Sequence, residues 1–294
     1  MTWQIAFIIA TFMGIARKLF MRRYAQTSKV PATIPPAASY LFGVLPVGLI
    51  AGFFIFPHHI TWSWWMAVLM AILSVSMALS CWLGFIAAGK IAIAPQQTIG
   101  MITEVSVILM GWTLLGEGLT TAQFVGGGIL LAAATLAIFA PEKTKAGDFE
   151  RLSTKTIMVA VAAAILLAIG LVTEKALLGH MEIGGIFLVS WTIQTLGMLL
   201  LASKDISKST LKAFRGRELK WSTLLGLTNG LNGAFYIYTI YHSDNISLVA
   251  VLSNVSLPLT VLGAYIFLKE REHHLLMWLS LAISLVGVLV MTLA

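Results

Sequence analysis

Glu104 sits in the run GMITEVSVILMGW (100–112), a largely apolar stretch with one carboxylate at its centre. Holding a carboxylate at mid-membrane depth costs about 3 kcal/mol on the mildest insertion scales. A proton, a cation or a polar partner relieves that cost. Glu104 therefore reads as a proton-coupling group or as the seat of a substrate's cationic part. The plain alternative is a protonated glutamic acid that bonds a neighbouring helix. Gln97, Met101, Glu104 and Ile108 follow helical spacing, which puts a second polar group on the same face.

The run GLTNGLNGAFYIYTIY (226–241) places Asn229, Asn232 and Tyr236 close to one helical face. Gly226, Gly230 and Gly233 let a ligand or another backbone approach closely. They equally permit ordinary helix packing in lipid. Pro258 cannot bond the carbonyl four residues back, which frees Asn254 and makes Pro258 a candidate hinge beside Ser253 and Ser256. A simple kink is the competing reading. Trp191 lies three residues from Gln194, and Trp82 follows Cys81. Aromatic rings near a carboxylate suit an organic cation, although a tryptophan in such a helix also serves as packing. Arg17 and Lys18 are expected to snorkel to the inner surface. The alternative is that one of them points inward and pairs with Glu104 or an anionic substrate.

Other chemistry is set aside. A single cysteine, Cys81, forms no intrachain disulfide and no metal site by itself. The pairs His58–His59 and His273–His274 fall on opposite sides of the apolar spans and cannot share a metal. There is no Walker loop, nucleophile elbow or HExxH motif, which excludes ATP-driven transport and argues against an enzyme. No metal and no cofactor are expected.

The elements that must position these groups follow from composition. Of 294 residues, 59% are hydrophobic and 11% charged, and the mean hydropathy is +0.91. A soluble domain carries about 25% charged residues, and a membrane-crossing helix needs about 20 mostly apolar ones. Ten spans meet that rule: 2–20, 36–56, 63–88, 92–115, 119–140, 155–177, 184–202, 221–241, 246–268 and 274–293. The fold class is all-α integral membrane, multi-pass, in the cell (inner) membrane. No basic region precedes the first span, so it is not read as a signal peptide.

The net charge of +7 would suggest nucleic acid in a soluble protein. Here 18 of the 19 basic residues fall in or beside the odd-numbered loops, and only Lys175 falls on the other side. Basic loops mark the cytoplasmic face, so both termini are predicted outside the cytoplasm. No nucleic-acid partner is expected. The partners are the lipid bilayer and a small-molecule substrate, with monomer and homodimer both open.

Loop 5 divides the spans five and five, into residues 1–140, a cytoplasmic linker 141–154, and residues 155–294. Glu117 in GWTLLGEGL and Glu270 in AYIFLKERE end the fourth and ninth spans, 153 positions apart. The same offset joins Ser76 to Asn229 and Ala134 to Gly287. Five is odd, so the second half enters the bilayer inverted. Inverted repeats are a frequent plan of secondary transporters, with the site near mid-membrane between the halves.

The stretches LLGEGLTTAQFVGGGILLAAATL (114–136) and, more weakly, FLKEREHHLLMWLSLAISLVGVLV (267–290) resemble the drug/metabolite transporter superfamily, of the EamA-like kind. Pro258, twelve residues before Glu270, matches a proline that the family often places there. Where the family frequently has Glu-Pro, this chain has Glu104-Val105. Members commonly place basic residues after helix 2 and at the C-terminus, whereas PHHIT (57–61) and VMTLA (290–294) carry none. The resemblance implies two five-helix inverted repeats and alternating access around a mid-membrane site. The expected function is secondary transport, proton-coupled or by exchange, of a small polar metabolite such as an amino acid or organic cation. An integral-membrane enzyme or lipid-handling protein would instead need its polar residues gathered at one interface level. A channel would need a continuous polar stripe.

Overall fold

The computed structural model describes residues 2–118, 120–140, 142–143, 149–150, 152–243, 249, 252–253, 256–270 and 275–292. The helices are α1 (Trp3–Thr27), α2 (Ile34–Ile55), α3 (Trp64–Lys90), α4 (Ile93–Leu115), α5 (Thr121–Phe139), α6 (Thr154–Leu177), α7 (Ile183–Asp205), α8 (Lys208–Ala213), α9 (Arg217–Tyr241), α10 (Ser256–Leu268) and α11 (Leu275–Thr292). A two-residue antiparallel pairing, β1 (Glu142–Lys143) with β2 (Phe149–Glu150), lies between α5 and α6.

Seven of these helices, α1 to α7, are long and apolar enough to cross a membrane. The length of α9 suffices, but Arg217, Glu218, Lys220, Asn229 and Asn232 lower its apolar content. Helix α10 and the apolar part of α11 are shorter. Phe54, Leu114, Leu200 and Phe267 are each more than 70% exposed. A soluble surface rarely tolerates so much exposed apolar area, and lipid covers it without cost. Apart from that short pairing, the chain is a helical, multi-pass membrane protein.

Local chemistry fixes several helix ends. Thr120 and Gln123 form a reciprocal capping box at the start of α5, and the Ser153 hydroxyl accepts from the Thr156 amide at the start of α6. Helix α4 ends where Gly116 takes the left-handed conformation, φ 69°. Wide π-helical turns interrupt α2 at Tyr40–Val44 and Ala51–Ile55, and α7 at Ile186–Ser190. Such turns rotate the residues that follow them and often accompany function. The turn in α7 immediately precedes Trp191.

With no water to exclude between helices in lipid, association rests on close packing and interhelical hydrogen bonds. Ser80 donates to the Ala163 carbonyl at 2.8 Å and Thr103 to Ala164 at 3.0 Å, which joins α3 and α4 to α6. Ser280 donates to Ala133 at 2.9 Å, which joins α11 to α5. The tightest backbone approach lies between α2 and α9. A Cβ on Gly226 would overlap the Ser39 carbonyl oxygen, and a Cβ on Gly43 would overlap the Gly226 backbone. Backbone cannot swing aside as a side chain does. Gly226→Ala is therefore expected to destabilise by about 3 kcal/mol, the upper end for overpacking. Gly128, with nothing within 4 Å of its position for a Cβ, is the control. Its replacement by Ala should be neutral or favour folding by up to about 1 kcal/mol. Thermal midpoints in detergent read both.

Candidate functional site

A cavity of about 330 Å³ lies among α1, α2, α3, α4, α6, α7, α9 and α10. That volume suits a small metabolite. Seven of the residues expected from the sequence line it: Gln97 and Glu104 of α4, Trp191 and Gln194 of α7, and Asn229, Asn232 and Tyr236 of α9. Each carries a polar or aromatic group that helical periodicity turns inward.

Trp82 is elsewhere. It lines a separate hollow between α3 and α6 with Lys90 and Lys155, while its neighbour Cys81 faces the cavity. Consecutive residues on a helix point about 100° apart, so only one of the two can take the inward face. Asn254 lies outside the described residues. Pro258 is the third residue of α10, and the turn that it was expected to break falls partly on those undescribed positions.

Two groups expected at the membrane surface are in the cavity instead. Arg17 and Lys18 both line it. Helix α1 continues to Thr27, so Arg17 stands ten residues, about 15 Å, from that end. Its side chain turns into the cavity rather than along the helix toward that end. Arg17 Nη1 donates to Asn229 Oδ1 at 3.1 Å, and Lys18 Nζ donates to Ser256 Oγ at 3.5 Å. Neither makes a direct ion pair with a cavity carboxylate among the described residues.

Glu174, which the sequence reading passed over, also lines the cavity. It is 5% exposed and accepts a hydrogen bond from Gln194 Nε2 at 3.3 Å. A glutamate inside an apolar span was the available signal. It sits in the last turn of α6, beside Lys175.

The cavity thus holds two basic groups on α1 and two carboxylates, on α4 and α6. Lys18 is within electrostatic reach of Glu104, and Tyr236 of both Glu104 and Glu174. Asn232 is committed elsewhere, because its Nδ2 donates to the Ala10 carbonyl at 2.7 Å. Trp191 is 3% exposed and meets Phe187 edge-on at 4.9 Å, so it forms a fixed wall.

Among the described residues, three buried side-chain atoms have no hydrogen-bond partner: Arg17 Nε, Glu104 Oε2 and Ser190 Oγ. Buried polar atoms are nearly always paired, and each exception calls for a reason. Here one is a donor on a permanent cation and one an acceptor on a carboxyl group. A ligand carrying separated negative and positive ends would satisfy both. Among the described residues, no group of three or more His, Cys, Asp or Glu side chains is placed to hold a metal.

No family model and no curated protein matches the sequence. Among the solved structures that the chain resembles is a crystal structure that matches with a TM-score of 0.63 and 19% identity over 97% of this chain and 96% of that one. A likeness at that identity shows a shared fold and carries no function.

Proposed function

We propose that the chain is a secondary transporter of a small dipolar metabolite, one with an ammonium and a carboxylate or similar anionic group. The observation that carries this reading is one cavity in which Arg17 Nε and Glu104 Oε2 are both buried and unpartnered. The substrate's anionic end lies against Arg17 and Lys18. Its cationic end lies against Glu104, with Glu174 and Tyr236 nearby. A purely cationic substrate is the weaker candidate, because it would share the cavity with two basic side chains.

The architecture in this reading is ten spans in two inverted five-span repeats, residues 1–140 and 155–294, of the drug/metabolite transporter kind, with both termini outside the cytoplasm. The helix packing supports it. Helix α3 lies along α6 as α9 lies along α1, α2 packs on α9 as α7 packs on α3, and α5 packs on α11. Exchanging each span with the one five places on maps this set onto itself. Two such halves rocking about the cavity expose it to each side in turn.

The test is a thermal-shift series on purified protein, comparing amino-acid-like zwitterions with amines and carboxylates of the same skeleton. A ligand at 100 times its Kd stabilises the folded form by about 2.7 kcal/mol. Zwitterions are expected to raise the midpoint and the single-charge analogues to leave it unchanged. Equal stabilisation by amines alone would discard the dipolar substrate.

A further inference from the structure

At the end of the molecule that carries the basic loops, one charged cluster ties four helices together. Arg22 Nε donates to Glu270 Oε1 at 2.8 Å, and the two side chains are 9% and 13% exposed. Arg22 Nη1 also donates to the Ala88 carbonyl at 2.6 Å, near the end of α3. Glu270 Oε2 accepts from the Ile93 amide at 2.8 Å, the first residue of α4. A cation thus meets the negative end of one helix and an anion the positive end of the next, each in its favoured place.

The same construction recurs 153 positions on. Helix α4 ends at left-handed Gly116, and the Glu117 amide reaches back to the Gly111 carbonyl at 3.1 Å. Helix α10 ends at left-handed Lys269, φ 59°, and the Glu270 amide reaches back to Ala264 at 3.3 Å. All three positions keep the offset. So does the cation: Arg22 corresponds to Lys175. Lys175 Nζ donates to the Ile240 and Ser243 carbonyls, both at 3.2 Å, at the end of α9, as Arg22 does at the end of α3. The position corresponding to Ile93 is 246, outside the described residues.

We propose that the Arg22–Glu270 ion pair and, at the corresponding positions, the helix-end contacts of Lys175 and Glu117 form a matched pair of gates, one at each end of the pathway through the cavity. Opening the first admits the side of the basic loops; opening the second admits the opposite side. Each holds a pore-side helix, α1 or α6, to the ends of its neighbours. The four charges lie away from the cavity lining, so they set which side is open and leave binding to Arg17 and Glu104. The inference rests on the transport reading.

The test places one thiol in the cavity by Gly100→Cys in a Cys81→Ser background. Gly100 lines the cavity and has nothing within 4 Å of its position for a Cβ. A membrane-impermeant thiol reagent is applied separately to each side, in right-side-out and inverted vesicles. Arg22→Gln and Glu270→Gln should raise labelling from the basic-loop side relative to the other by roughly tenfold, as loss of one partner of a buried pair shifts a two-state balance. Lys175→Gln and Glu117→Gln should shift it the other way. Arg22→Lys and Glu270→Asp, which keep the charges but alter the geometry, should give the first sign more weakly and cover the case in which a neutral variant does not insert. A merely structural ion pair would leave the side preference of inserted protein unchanged. That result, or four shifts of one sign, overturns the gates. A parent thiol unreactive from both sides removes the pathway itself, and with it the transport reading.

Discussion

Glu104→Gln is expected to abolish concentrative transport and its pH dependence while the protein still inserts and binds substrate weakly. The side chain keeps its shape and its hydrogen-bonding capacity but can no longer gain or lose a proton. In the proposed transport cycle, a proton and the substrate's cationic end compete for the carboxyl group. Acidification therefore weakens apparent substrate affinity, and substrate entering one side displaces a proton to the other. The sign follows directly. Vesicles acidic inside should accumulate substrate as protons leave, and vesicles alkaline inside should not. Lys18 and Tyr236 lie within electrostatic reach of Glu104, and Glu174 within reach of Tyr236, so their conservative variants will move the pH profile without flattening it. The Gln variant should instead equilibrate substrate at one pH-independent level. If it accumulates substrate as the wild type does, the unpartnered Oε2 is a structural accident.

Arg17→Gln is expected to weaken substrate binding by roughly 10- to 100-fold, the worth of a charge-assisted hydrogen bond of about 1.5–3 kcal/mol. Arg17 presents one nitrogen to Asn229 and leaves Nε buried and unpartnered. Its guanidinium is the group best shaped for a carboxylate, because two parallel donors match two oxygens. Arg17→Lys keeps the charge and loses that match, so it should recover only part of the affinity. An amine of the same skeleton as the substrate gains nothing from Arg17, and its weak binding should be no weaker in the Gln variant. Titration calorimetry on wild type and both variants separates these outcomes. Equal affinity in all three would place the anionic end elsewhere.

The seven helices long and apolar enough to cross a membrane were legible because apolar runs of the required length are hard to build by accident. Glu104, Asn229 and Tyr236 stood out for the same reason: a polar letter in an apolar helix has few uses. What the letters hid was depth and facing. Arg17 and Lys18 were misjudged because the sequence suggested that α1 ended near Phe20, whereas Arg22, Tyr24 and Gln26 extend it to Thr27. Glu174, beside Lys175 in the last turn of α6, was passed over. Trp82 was chosen by residue type, yet face is decided by rotation about the helix, and Cys81 holds the inward position. The left-handed turn shared by Gly116 and Lys269 was invisible, because a lysine does not announce a conformation that usually favours glycine.

The measurement that tests the central claim most directly is counterflow. Proteoliposomes loaded with an unlabelled zwitterion are diluted into a trace of the same compound carrying a label. A transporter with one alternating site must exchange outward-moving unlabelled substrate for inward-moving label. The label should rise transiently above its equilibrium level, for zwitterions and not for amines or carboxylates of the same skeleton, and Arg17→Gln should suppress the rise. If label enters no faster than into protein-free liposomes for every compound of the series that shifts the thermal midpoint, the cavity binds but does not transport, and the account is wrong.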